Sequence, residues 1–228
     1  MKTRLFISKC CLAAALTFGG LTQTKADVTY TVDPGATWLG YMNVFELPSN
    51  GGAFVFGRGW GIGDLRASFA GDVLTLSPNT IGDPAEFWYI GGGGPGASGN
   101  KIMDANLYQE FNGSLAGQTV TFTGNVLANS LTESHTAVAF IKDFAPDYSS
   151  FESTIIALTP GVFSISLETI NDPTRHVQFG FTVNGVNVWE TDVEPFGSVQ
   201  ITAVPEPSVI ALAAIGLAGL ACRRRCRA

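Results

Sequence analysis

Few residues of this 228-residue chain could act as nucleophile or proton carrier. The two histidines, His135 and His176, stand outside any His-Glu-x-x-His spacing, and no Gly-x-Ser-x-Gly nucleophile turn occurs. The four cysteines, Cys10, Cys11, Cys222 and Cys226, lie near the two ends with none between. Glycosidase chemistry by paired carboxylates needs only two acids close in space, so it stays open, but no pair is singled out. What the residue types do offer is stacking on sugar rings. Trp38, Trp60, Trp88, Tyr89 and Trp189 present flat apolar faces, and Trp60, Trp88 and Trp189 are the candidate ligand-binding residues, with core packing as the competing role.

Two further stretches could hold a ligand. Gly91–Gly99 contains Gly94-x-Gly96-x-x-Gly99, but a dinucleotide site would need a helix opening from that turn, and Pro95 in an all-β setting makes it a loop. Asp143, Asp147, Tyr148 and Glu152 cluster around Pro146, which marks an ordinary polar turn.

The elements that must position these residues are strands. Apolar residues alternate in short runs, among them Val28–Val32, Ala53–Phe56, Val73–Leu76, Glu86–Ile90, Thr119–Val126, Ala137–Phe140, Val162–Leu167 and Val199–Ala203, each bounded by Gly, Pro, Asn or Asp. That pattern predicts an all-β sandwich or barrel. In Phe87-Trp88-Tyr89 the alternation sets Trp88 on the face opposite its neighbours. Asn184-Gly185, between Val177–Val183 and Val186–Trp189, predicts a hairpin with a type I′ turn.

Composition divides the chain into three. Lys2, Arg4 and Lys9, an apolar stretch from Cys10 to Leu21, and Thr24-Lys25-Ala26 have the layout of a secretory signal peptide over residues 1–26. Residues 27–203 form a cysteine-free domain that must be stable through its own core. Five basic residues there face eighteen acids, a net charge of −13, which disfavours nucleic acid as a partner. Residues 204–228 begin with Val204-Pro205-Glu206-Pro207-Ser208, continue in an apolar run from Val209 to Cys222, and end in an arginine cluster. Its fourteen residues make a helix of about 21 Å, against a hydrocarbon core of about 30 Å.

The central domain resembles jelly-roll carbohydrate-binding modules through Asn43-Val44-Phe45-Glu46, Trp60, the Leu115 and Gly117–Thr121 turn, and Asp192-Val193. The resemblance implies a jelly-roll β-sandwich, sugar binding, and a structural Ca²⁺ held by Glu46 and Asp192. The tail resembles the PEP-CTERM sorting signal of bacterial exported proteins, with Pro205, Glu206 and Pro207 as the sorting motif. It implies recognition by an exosortase-type processing enzyme at the inner membrane, transient anchoring through the apolar helix, and delivery to the cell surface or extracellular matrix. The expected protein is a non-enzymatic surface or matrix component that binds polysaccharide. The alternatives are a secreted glycan hydrolase using paired carboxylates and a purely structural biofilm-matrix component.

Overall fold

Alternation governs the chain between residues 27 and 204, the span that the computed structural model describes. The strands are β1 (Asp27–Thr31), β2 (Leu39–Glu46), β3 (Phe54–Gly59), β4 (Ala67–Ala70), β5 (Val73–Leu76) and β6 (Lys101–Asn112). They continue as β7 (Thr119–Asn129), β8 (His135–Phe144), β9 (Phe151–Ala157), β10 (Gly161–Glu168), β11 (His176–Val186) and β12 (Val199–Thr202). Two short 3₁₀ turns, Pro48–Asn50 and Glu194–Phe196, complete the elements, and no α-helix occurs among the described residues. The leader, the Pro205–Pro207 motif and the apolar run after it lie outside that span.

Two six-stranded sheets result, as the all-β reading expects. The first has the order β3-β2-β6-β11-β8-β9 and is antiparallel throughout. The second runs β1-β7-β12-β5-β4 with β10 on the other side of β7, and its β1–β7 pairing is parallel.

The sheets meet in an aromatic layer. Phe122 of β7 lies 5.1 Å from Phe179 and 5.3 Å from Phe181 of β11, ring centre to ring centre. Phe163 of β10 packs edge-on to Phe122 and Phe181, and Trp38 stacks on Phe181. Phe122, Phe179 and Phe181 are 0% exposed. One buried ion pair closes the border of this layer: Arg175 Nε donates to Asp143 Oδ1 at 2.9 Å, and the Ile170 amide donates to Asp143 Oδ2 at 2.8 Å. Asp143 is therefore a core residue rather than part of a polar turn.

The structure corrects two local expectations. Asn184-Gly185 is not a hairpin turn, because β11 runs straight through it, pairing Asn184 with Asp104 and Thr136 and Gly185 with Met103 and His135. Long partners on both sides supply ladder hydrogen bonds that a turn would forfeit, and neither residue has a positive φ. Glycine is needed for a different reason. A Cβ at Gly185 would run into the His135 ring and the Ser134 carbonyl. Phe87-Trp88-Tyr89 is likewise a turn, with the Trp88 and Tyr89 amides both donating to the Ala85 carbonyl, and it buries Trp88 and Tyr89 together while Phe87 stays exposed.

A strand and a hairpin answer differently to substitution at this pair. Gly185→Ala should cost about 1–3 kcal/mol by overpacking against His135, whereas Asn184→Thr should lie within about 0.5 kcal/mol of the parent. Urea unfolding of the two variants checks this, and a destabilising Asn184→Thr with a tolerated Gly185→Ala would contradict it.

Candidate functional site

The outer face of the first sheet carries the densest set of ligand-capable side chains. On β6, Met103, Ala105 and Leu107 point into the core, so Asp104, Asn106, Tyr108 and Glu110 point out. On β11 the same alternation sends Gln178 and Thr182 outward, opposite Phe179 and Phe181. Registers then align these residues across strands. Lys142, Gln178 and Glu110 form one row, and Thr182, Asn106 and Tyr41 another. Between them, Gly180 sits opposite Tyr108 and Phe140 with no side chain of its own, which lowers the floor.

A groove of about 670 Å³ follows, lined by Tyr41, Asp104, Asn106, Tyr108, Glu110, Lys142 and Gln178 together with Asn43, Phe144, Tyr148 and Phe151. Its floor is a connected polar network. Thr182 Oγ1 donates to Asn106 Oδ1 at 2.8 Å, Asn106 Nδ2 to Asp104 Oδ2 at 3.2 Å, and Asn43 Nδ2 to the same oxygen at 3.2 Å. Further along, Glu110 Oε2 accepts from Gln178 Nε2 at 2.6 Å and from the Tyr148 hydroxyl at 3.2 Å. Asn106, Gln178 and Thr182 are buried although they face outward, because the aromatic walls cover them.

Those walls are exposed where the floor is not: Tyr41 is 37%, Tyr148 47% and Phe151 49% accessible. Tyr148 takes a left-handed backbone, φ 58°, in the turn from β8 to β9. Asp147 supports the turn by accepting from the Ser149 amide and hydroxyl. The Tyr148 ring is fixed by stacking on His176, 4.4 Å between centres at 7°, and by a tilted contact with Phe144. An unfavourable conformation held by this many partners fits a residue placed for binding.

Electrostatics follows from the burial. Desolvation, reinforced by the Glu110 carboxylate, pushes the Tyr148 hydroxyl up to about 12. Tyr108 is raised by burial and then by Glu110. Burial pulls the Lys142 ammonium down from the ordinary lysine range, against a smaller opposing pull from Asp104. Lys142 Nζ lies 4.3 Å from the centre of the Phe140 ring.

The sequence-derived candidates lie elsewhere. Trp60 and Trp88 line a second cleft of about 730 Å³, with Arg58, Arg66, Asp64, Asp83 and Glu190. Trp88 is only 9% exposed and packs edge-on against Phe56 and Phe87. Trp60 is half-buried beneath the Arg58 guanidinium, and its indole N–H has no acceptor among the described residues. Trp189 packs edge-on against Tyr89 and is not in that lining. The three tryptophans do not share one groove.

For calcium, Glu46 Oε2 takes the Lys101 ammonium at 3.0 Å, while Asp192 Oδ2 takes the Gly96 amide at 2.6 Å and Asp192 Oδ1 the Thr191 hydroxyl. The two acids are thus engaged by different partners, and a cation already neutralises Glu46. Among the described residues no three His, Cys, Asp or Glu side chains are grouped to hold a metal ion. The Gly91–Gly99 loop is tied down instead of cradling phosphate: Tyr89 and Gly99 form a bridge, and Gly93 lies against Pro84 and Trp189. A third cleft beside this loop contains His135, whose Nε2 donates to the Val186 carbonyl at 2.9 Å and whose Nδ1 has no partner among the described residues. Burial lowers the pKa of that imidazole, which favours its neutral form.

Sequence reasoning named Tyr148 but missed the groove, because β6 was not recognised as a strand. Its signal was there as apolar–polar alternation over 103–107, which Gln109 interrupts on the inward row and which Asp, Asn and Glu, residues strands usually avoid, disguise on the outward one.

Comparison with known proteins bears on the tail. Residues 203–225 match the family model described as the PEP-CTERM protein-sorting motif. The tail therefore carries a PEP-CTERM sorting signal, which marks an exported chain processed by an exosortase. No curated protein and no solved structure matches the chain.

Replacing Glu110 by Gln should bring the Tyr148 ionisation down from about 12, though not to the ordinary tyrosine value, since burial is the larger cause. Following the ring-carbon chemical shift of Tyr148 against pH measures this, and an unchanged midpoint would contradict the placement of Glu110.

Proposed function

We propose that this is a non-enzymatic cell-surface or extracellular-matrix protein that binds polysaccharide along the aromatic-walled groove of its first sheet. The single observation carrying the reading is the groove's construction. Exposed Tyr41, Tyr148 and Phe151 stand over a floor of hydrogen-bonded amides and carboxylates. Flat apolar faces take the C–H side of a pyranose ring, while fixed donors and acceptors take its hydroxyls. A floor whose members already hold one another is pre-organised and loses little freedom on binding.

The same floor argues against hydrolysis. Asp104 and Glu110 lie six residues apart on one strand, about 20 Å at strand rise, whereas glycosidase carboxylates stand about 5–10 Å apart. Jelly-roll connectivity is the finer fold reading. It is supported by the chain passing from one sheet to the other at most connections after β6. In this proposal the exosortase-type enzyme acts on Pro205-Glu206-Pro207 while the apolar run after it holds the chain at the inner membrane. The domain then passes to the surface or matrix.

Tyr148→Ala and Phe151→Ala should each weaken binding of a polysaccharide hit about 5- to 30-fold, since an aromatic anchor is commonly worth more than 1 kcal/mol. A glycan array followed by calorimetry reads this, and measurable release of sugar from any hit would overturn the non-enzymatic reading. In cells, replacing Pro205, Glu206 and Pro207 together by alanine should leave an unprocessed chain of higher mass in the membrane fraction. Unchanged processing and location would refute the sorting role.

A further inference from the structure

Three charged side chains line the groove, Asp104, Glu110 and Lys142, and they are unequally compensated. Lys142 Nζ leans over the Phe140 ring, 4.3 Å from its centre, and the carboxylate that opposes the loss of its charge to burial is Asp104. Those two compensate each other. Glu110 has no such counterpart. Its Oε2 accepts from the Gln178 amide at 2.6 Å and the Tyr148 hydroxyl at 3.2 Å, both neutral, and no salt bridge reaches it among the described residues. His176, stacked on Tyr148, turns its ring nitrogens to Asn112 Oδ1 and the Pro146 carbonyl instead. The groups that feel the Glu110 charge are tyrosines: burial first and that carboxylate second raise the Tyr148 and Tyr108 hydroxyls above the ordinary range. The groove therefore carries one net negative charge, two carboxylates against one ammonium, and the uncompensated one stands beside Tyr108 and Tyr148.

A bound polymer makes this imbalance matter. Glu110 is half-buried, and a sugar laid over the groove removes its remaining water. A neutral sugar leaves the carboxylate with uncharged donors alone, and an acidic one adds repulsion, whereas an ammonium returns a charge-assisted hydrogen bond. The aromatic walls favour the same sign, since ring faces attract cations. So does the wider domain, whose eighteen acids and five bases between residues 27 and 203 draw cations to its surface.

We propose that the polymer taken by the groove carries free amino groups, as deacetylated aminosugar chains do, and that Glu110 is the residue that binds the ammonium. The inference rests on the groove being a polysaccharide site. Lys142 works in the opposite direction, because it spends the charge of Asp104 within the chain.

The test uses the full chain in mild detergent and soluble oligomers of β-linked glucosamine and of α-linked galactosamine, each also in its fully N-acetylated form. Calorimetry at mildly acidic pH, where the amines are charged, reads the affinities. The parent should bind at least one amine oligomer about fivefold or more tighter than its N-acetylated form, the scale of one partly exposed charge pair. Glu110→Gln, which keeps an acceptor for Gln178 and Tyr148, should bring the two forms within about twofold of each other. Asp72→Asn removes the same charge from the exposed turn between β4 and β5, and should leave the preference within about twofold of the parent's, since distant exposed charges are screened. Lys142→Met should keep or widen the preference, because Asp104 then loses its counter-charge. Circular dichroism shows whether each variant is folded, and should Glu110→Gln not fold, the parent, Asp72→Asn and Lys142→Met decide. Equal or tighter binding of the N-acetylated forms overturns the proposal. So does a preference that survives in folded Glu110→Gln, that Asp72→Asn abolishes as well, or that narrows in Lys142→Met. If the N-acetylated forms bind as tightly as the amines and Tyr148→Ala weakens them, the groove reading stands while the amine reading falls. If no oligomer binds at all, both fall.

Discussion

The contact between Phe122 and the Phe179–Phe181 pair is the constraint on which the rest of the sandwich depends. With no cysteine between residues 27 and 203, no disulfide joins the two sheets. Their union rests on apolar area removed from water and on ring packing, and truncating one fully buried phenylalanine to alanine typically costs about 3–5 kcal/mol. Phe179 and Phe181 also set the groove. Because they must point inward, Gln178, Gly180 and Thr182 must point outward, and a shift of β11 by one residue would exchange the core face and the groove face together.

How much of this was legible depends on which force decided each element. Strands with Val, Thr and Phe in alternation, such as β7 and β10, could be read directly, because local propensity and burial agree there. The strand β6 could not, since its outward Asp104, Asn106 and Glu110 and its inward Gln109 are residue types that strands usually avoid. The Asn184-Gly185 pair misled for the opposite reason. A local turn preference is outweighed by two long neighbouring strands, and the glycine answers to the nearness of His135. The tryptophans, singled out by chemistry alone, do not share one groove, and Trp88 and Trp189 pack edge-on against aromatic neighbours. Register between distant strands, which brings Lys142, Gln178 and Glu110 into one row, is a tertiary fact that no local window contains.

The few cations of the domain mark two different uses of positive charge. Lys101 and Arg175 compensate buried or half-buried acids and hold strands or loops in place. A buried pair of that kind adds little net stability but makes the loss of either partner costly, so it fixes an arrangement more than it strengthens it. Lys142, Arg58 and Arg66 instead line clefts, each beside acids of the same lining, and no salt bridge holds them among the described residues.

The position of β12 has a mechanical meaning. This last strand is clamped on both sides, by β7 and by β5, and ends at Thr202, directly before Ala203, where the match to the sorting motif begins. The groove lies on the other sheet. The aromatic layer between the sheets is therefore also what links the strand leading into the sorting segment to the sheet that carries the groove.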